Sequence, residues 1–149
     1  MTQAYTHRFT EEFELFGADA DAYVVGVYLA QNYRNMANHQ RGVAILHVGD
    51  MAQGATVDFL LMQATDAAGT GAKVVPGKAI TQLTQAGGDA DSTVIVEVRT
   101  EEMDVDGGFS FLGGILTVAG GTCDIGIVGL GGCSNYMPVP TTAWTEIVD

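Results

Sequence analysis

Three pairs of aspartates stand at alternate positions, Asp19/Asp21, Asp89/Asp91 and Asp104/Asp106. That is how the loop carboxylates of a calcium site offer their oxygens. None of the pairs continues into the twelve-residue calcium pattern. The twelfth position is Ala30 after Asp19 and Thr100 after Asp89, and Phe109 takes the sixth place after Asp104, where the turn needs glycine. Solvated turns are the expectation, and no metal site is assigned. The loop from Gly71 to Ala79 contains Gly77-Lys78 and has the outline of a phosphate-binding loop. Five residues separate its glycines instead of four, and Ala79 replaces the hydroxyl that would hold magnesium.

The other reactive side chains form no constellation. His7, His39 and His47 lack the HxxxH or HExxH relation. Cys123 and Cys133 are separated by nine residues without a CxxC, so two buried thiols are expected, with a disulfide as the lesser reading. Ser134 follows Gly132-Cys133 but lacks the second glycine of a nucleophile elbow. No catalytic residue, cofactor site or metal site is assigned, and the chain is not expected to be an enzyme.

Charge limits the partners. Eighteen carboxylates face six basic residues, giving a net charge of −12, and Lys73 and Lys78 are the lysines. Such a surface repels phosphate backbones and anionic lipid, so neither nucleic acid nor membrane is expected as a partner. The uncharged run Gly107–Cys123 spans seventeen residues, short of the ~20 that a membrane helix needs. Residues 1–21 hold five acids and no apolar core behind a basic region, so neither a secretory signal nor a transit peptide is expected.

The elements that would position these residues are strands. Glycine doublets at 107–108, 113–114, 120–121 and 131–132 cut an apolar stretch into strand-length pieces, which reads as strand and turn in alternation. Val94, Val96 and Val98 alternate with Ile95, Glu97 and Arg99, giving one buried and one wet face. Val57, Phe59 and Leu61 share a face, and residues 23–30 and 43–48 read as further strands. Residues 31–42 read as a loop with Tyr33 and Met36 tucked in, residues 65–78 as a loop, and residues 79–84 as a short strand. The spacing of Phe9, Phe13 and Phe16 suits one short helix. The expected fold is all-β: an antiparallel, jelly-roll-like β-sandwich over residues 23–136, with an N-terminal arm (1–22) and an extended C-terminal arm (137–149).

Several stretches carry a resemblance. They are Tyr33-Arg34-Asn35-Met36, GVAILHVGDM (42–51), QATDAAGTGAKVVPGKAITQLT (63–84), EEMDVDGGF (101–109), the aromatic followed by Pro-Val within Tyr136–Val139, and Glu146-Ile147-Val148. Over residues 30–149 the chain resembles small head-module structural proteins of tailed bacteriophages and prophages. The resemblance implies a capsid decoration (cement) protein on the outer surface of the head, made in the host cytoplasm. Its expected partners are the major capsid protein and further copies of itself, as homodimer or homotrimer. Phe9, Phe13 and Phe16 in one arm and Met137, Val139 and Trp144 in the other are the expected partner contacts, because apolar side chains on polar arms need a surface to cover them. The alternatives are a head–tail connector or tail protein, and a calcium- or carbohydrate-binding β-sandwich for host attachment.

Overall fold

The computed structural model describes residues 9–29, 32–135 and 141. Alternating apolar residues build two antiparallel sheets. The first has the order β1 (Glu14–Tyr23), β10 (Cys123–Ser134), β4 (His39–Met51), β8 (Ser92–Arg99). The second has the order β2 (Gly26–Leu29), β9 (Phe111–Ala119), β5 (Thr56–Ala64), β6 (Lys73–Ala79), with the short β3 (Arg34–Asn35) on β9 and β7 (Leu83–Thr84) on β5. The sheets pack into a β-sandwich. Four of the pairings nest, β1 with β10, β2 with β9, β4 with β8 and β5 with β6, while β10 with β4 and β9 with β5 join them into the two sheets. First strand against last, and so inward, is the winding of a jelly roll.

Facing rows of side chains fill the space between the sheets. Leu46, Val48, Val96, Val98 and Ile125 come from the first sheet, and Val57, Phe59, Leu61, Leu116 and Val118 from the second. Val94, Val96 and Val98 point inward while Ile95 points outward, 64% exposed. Tyr33 and Met36 are both buried. Tyr33 lies on the outer face of the second sheet, in a small cluster with Met62 and Ala64.

The sandwich begins earlier in the chain than the sequence suggests. Residues 14–23 form the edge strand β1, paired with β10 along its length, and the Phe9, Phe13, Phe16 spacing yields one helical turn, α1 (Phe9–Glu12). The strand expected over 23–30 begins after a crossing from one sheet to the other. Tyr23 ends β1, and the Tyr28 hydroxyl donates to the Val24 carbonyl at 2.9 Å, holding the chain at that crossing. The expected loop over 65–78 contains β6, whose Pro76 is compatible with an edge strand that lacks one neighbour. The expected C-terminal arm lies outside the described residues.

Two of the four glycine doublets are turns. Gly108 and Gly120 have positive φ, and a Cβ at Gly120 would sit 2.0 Å from the Gly54 carbonyl oxygen. The other two doublets lie inside β9 and β10, against expectation. There the missing side chains make room for rings: Tyr33 over Gly113, Phe59 over Gly114, Phe16 over Gly131 and Phe13 over Gly132. Successive residues of a strand face opposite sides, so each doublet seats one ring on each face of its sheet.

Candidate protein interface

The residues that could do chemistry are mostly spent on local structure. Asp19 accepts the Tyr23 hydroxyl at 2.6 Å. Burial, followed by that bond and the Asp19 charge, pushes the Tyr23 hydroxyl far above the usual tyrosine range. Asp89 accepts the Thr84 backbone N–H at 2.8 Å. Asp104 pairs with Lys73, whose ammonium also lies 3.8 Å from the centre of the Phe109 ring, and accepts the Gly107 N–H. The Lys73 hydrogen bond holds the Asp104 carboxyl below its ordinary range. Among the described residues no three His, Cys, Asp or Glu side chains are grouped to hold a metal ion, and no helix is long and apolar enough to cross a membrane.

The cysteines are both free, and they differ. Cys123 is buried, and burial followed by the Asp124 charge raises its thiol above the usual cysteine range. Cys133 is exposed, which corrects the expectation of two buried thiols. It adopts φ of 52° at the point where β10 leaves the ring-seating glycines.

Of the expected partner contacts, Phe16 packs against this chain's own core and meets the His39 ring edge-on at 5.1 Å between centroids. Phe13 sits over Gly132 and stacks on Phe9 at 4.5 Å. Phe9, 53% exposed, is the one of the three still presented to a partner. Met137, Val139 and Trp144 lie outside the described residues.

What the structure presents instead is an apolar sheet edge. Val24, Val25, Val27 and Leu29 are all more than half exposed, and β2 is the edge strand of its sheet. Edge strands of soluble proteins are normally charged, shortened or covered, because their unpaired N–H and C=O groups recruit other chains. Here valine and leucine occupy that position. Beside this edge, a cleft of about 540 Å³ opens between the two sheets, lined by Phe16, Tyr23, Tyr28, Phe59, Leu112 and Ile127, with Asn32 and Arg34 among its polar groups. An apolar strand beside an apolar cleft can bind an extended segment by backbone pairing and by anchoring its side chains.

Sequence reasoning read residues 23–30 as one strand, with Tyr23, Val25, Val27 and Leu29 on a single apolar face. What it lacked was position: β2 lies at an edge because β9, some ninety residues later, is its partner. Comparison of the chain with protein-family models finds no match, and comparison with curated proteins finds none.

Proposed function

We propose that this chain is a non-catalytic structural protein of a tailed-phage virion, a decoration protein that binds the outside of the head and ties major capsid subunits together. The exposed apolar edge Val24–Leu29 carries the reading, since a β-sandwich keeps such an edge for a partner. Three further points support it. Jelly rolls recur among viral capsid domains, an analogy of fold only. The net charge of −12 suits a shell exterior, where packaged DNA does not repel it. The stretches between residues 33 and 109 quoted above resemble phage head-module proteins.

The deciding measurement is quantitative mass spectrometry of purified virions. A ratio of this chain to the major capsid protein near one, or a simple fraction of it, supports decoration. A few copies per particle would move the chain to the connector or tail, and its absence would overturn the virion reading. Val27→Lys and Leu29→Lys test the edge directly: both side chains are solvent-facing, so the fold should persist while head binding is lost. These substitutions are sharper than deleting residues 1–16, which would remove the core-packed Phe16 together with the contact.

A further inference from the structure

The sandwich stands open along one side, where the edge strands β1 and β2 of the facing sheets bound the cleft of about 540 Å³. Missing side chains make the opening. Gly17 of β1 is paired with Gly129 of β10, and paired residues project from the same face of a sheet. Gly129 stands two residues from Ile127, which packs on the core, so both glycines face the gap and neither fills it. A Cβ at Gly17 would meet nothing within 4 Å. Phe59 and Leu116 from the second sheet and Ile127 from the first supply the apolar walls.

The two ends of this cleft carry opposite charge. Arg34 is paired with Leu112, a core residue, so it projects from the inner face, where a sandwich normally carries apolar side chains. It is the one lysine or arginine among the described residues without an ion pair: Arg41, Lys73, Lys78 and Arg99 are held by Glu97, Asp104, Glu102 and Glu101. Glu14 shares a neighbouring pocket with Arg34, but its carboxylate is turned to His39. At the far end stand Tyr28, paired with Leu116, and Asp19, which accepts the hydroxyl of Tyr23; the Tyr23 ring meets Tyr28 edge-on at 4.7 Å. Leu112 and Leu116 are four residues apart on β9, which separates the two ends by about 13 Å.

We propose that the cleft binds a monocarboxylate with a linear apolar body, of the fatty-acid class. The carboxylate pairs with Arg34, whose planar guanidinium can hold both oxygens. The body runs between Phe59, Leu116 and Ile127 toward Tyr28. Asp19 sets the direction, since a carboxylate at that end would meet one of its own sign. Eighteen carboxylates face six basic residues in this chain, so an arginine that none of the described carboxylates meets, beside an apolar gap, suits an anion from outside. Arg34 is exposed, so its pairing orients the ligand and adds modestly, and burial of the apolar body supplies most of the affinity. The proposal stands on the cleft alone and holds whether or not the chain is a virion protein.

Isothermal titration calorimetry of the full chain with decanoate, below its micelle concentration, tests it. Decanoate should bind as a single molecule per chain. Decanol keeps the body but lacks the charge, and should bind about tenfold more weakly; Arg34→Gln should lower the affinity for decanoate by about the same factor. Lys78→Gln removes an equal charge away from the cleft and should leave decanoate binding unchanged. Gly17→Leu fills the gap and should abolish binding with unchanged far-UV circular dichroism. No binding of decanoate, equal binding of decanoate and decanol, an equal loss in Lys78→Gln, or binding that survives Gly17→Leu would each overturn the proposal. Should Gly17→Leu fail to fold, amide NMR shifts of the wild type on adding decanoate decide the same question: they should centre on Gly17, Gly129 and Arg34, and shifts centred elsewhere would overturn it too.

Discussion

His39 Nε2 lies 2.9 Å from Glu14 Oε2, although their strands are not neighbours. β10 runs between them, and the pair meets beside Gly131, which is paired with Glu14 and has no side chain to intervene. The imidazole is 2% exposed and the carboxylate 28%. A carboxylate can only accept, so Nε2 carries the proton. Glu14→Ala should destabilise the fold by about 1–3 kcal/mol, the cost of leaving a buried donor unmatched, while Glu14→Gln should recover most of it. Urea unfolding of the two variants checks this, and equal losses would refute it.

Gly131 should tolerate no side chain. A Cβ there would lie 2.2 Å from Phe16 Cζ and 3.0 Å from His39 Cγ. Gly131→Ala should therefore cost about 1–3 kcal/mol through overpacking. Gly17→Ala, whose Cβ would meet nothing within 4 Å, should stay within about 0.5 kcal/mol of wild type. Thermal melts of both variants separate ring seating from a general intolerance of alanine for glycine.

The thiols should react in sequence. Cys133 is exposed and should alkylate with iodoacetamide in the native protein, whereas Cys123, buried and held protonated above the usual range, should react only on unfolding. Mass spectrometry before and after denaturant gives the order. Native modification of Cys123 would contradict its burial.

Acid should weaken the end of the sandwich built by residues 63–73 and 99–107. The carboxyls of Asp66, Glu102 and Asp104 are all held below their ordinary values: Asp66 by Thr70, Glu102 by the Arg99 backbone N–H and then Lys78, and Asp104 chiefly by Lys73. A depressed carboxyl stabilises the folded state above its unfolded pKa, and that stability is lost as pH falls through the folded value. Melting temperature should thus hold from pH 7 to about 5 and fall below pH about 4. The effect should shrink in salt, since these groups are exposed. Asp104→Asn should flatten part of the acid decline, and an unchanged profile would refute the assignment.

Much of the fold is legible in the chain because alternation is a local signal. The inward valines of β8, the inward face of β5 and the burial of Tyr33 and Met36 all follow from residues close in sequence. The glycine doublets mark where local reading stops. Gly120-Gly121 and Gly131-Gly132 look alike, yet one is a turn and the other a seat for Phe13 and Phe16, residues more than a hundred positions away. β1 was obscured for a related reason. Its run Gly17-Ala18-Asp19-Ala20-Asp21-Ala22 has little intrinsic strand preference, and it is ordered by pairing with β10. The candidate interface shares this origin: whether Val27 or Ile95 lies at an edge, on an outer face or in the core depends on which distant strands lie beside it.

The pairing of β1 with β10 also sets the order in which the protein can be completed. The strand made earliest waits for the one made last among the described residues, so during synthesis β1 stays single while the intervening strands assemble. Contacts between residues so far apart in sequence form slowly, because closing the intervening chain costs entropy before any pairing repays it. Until residues 123–134 emerge, the first sheet lacks the strand that joins β1 to β4. A ribosome stalled before that point would hold two unjoined edges, open to the wrong neighbour.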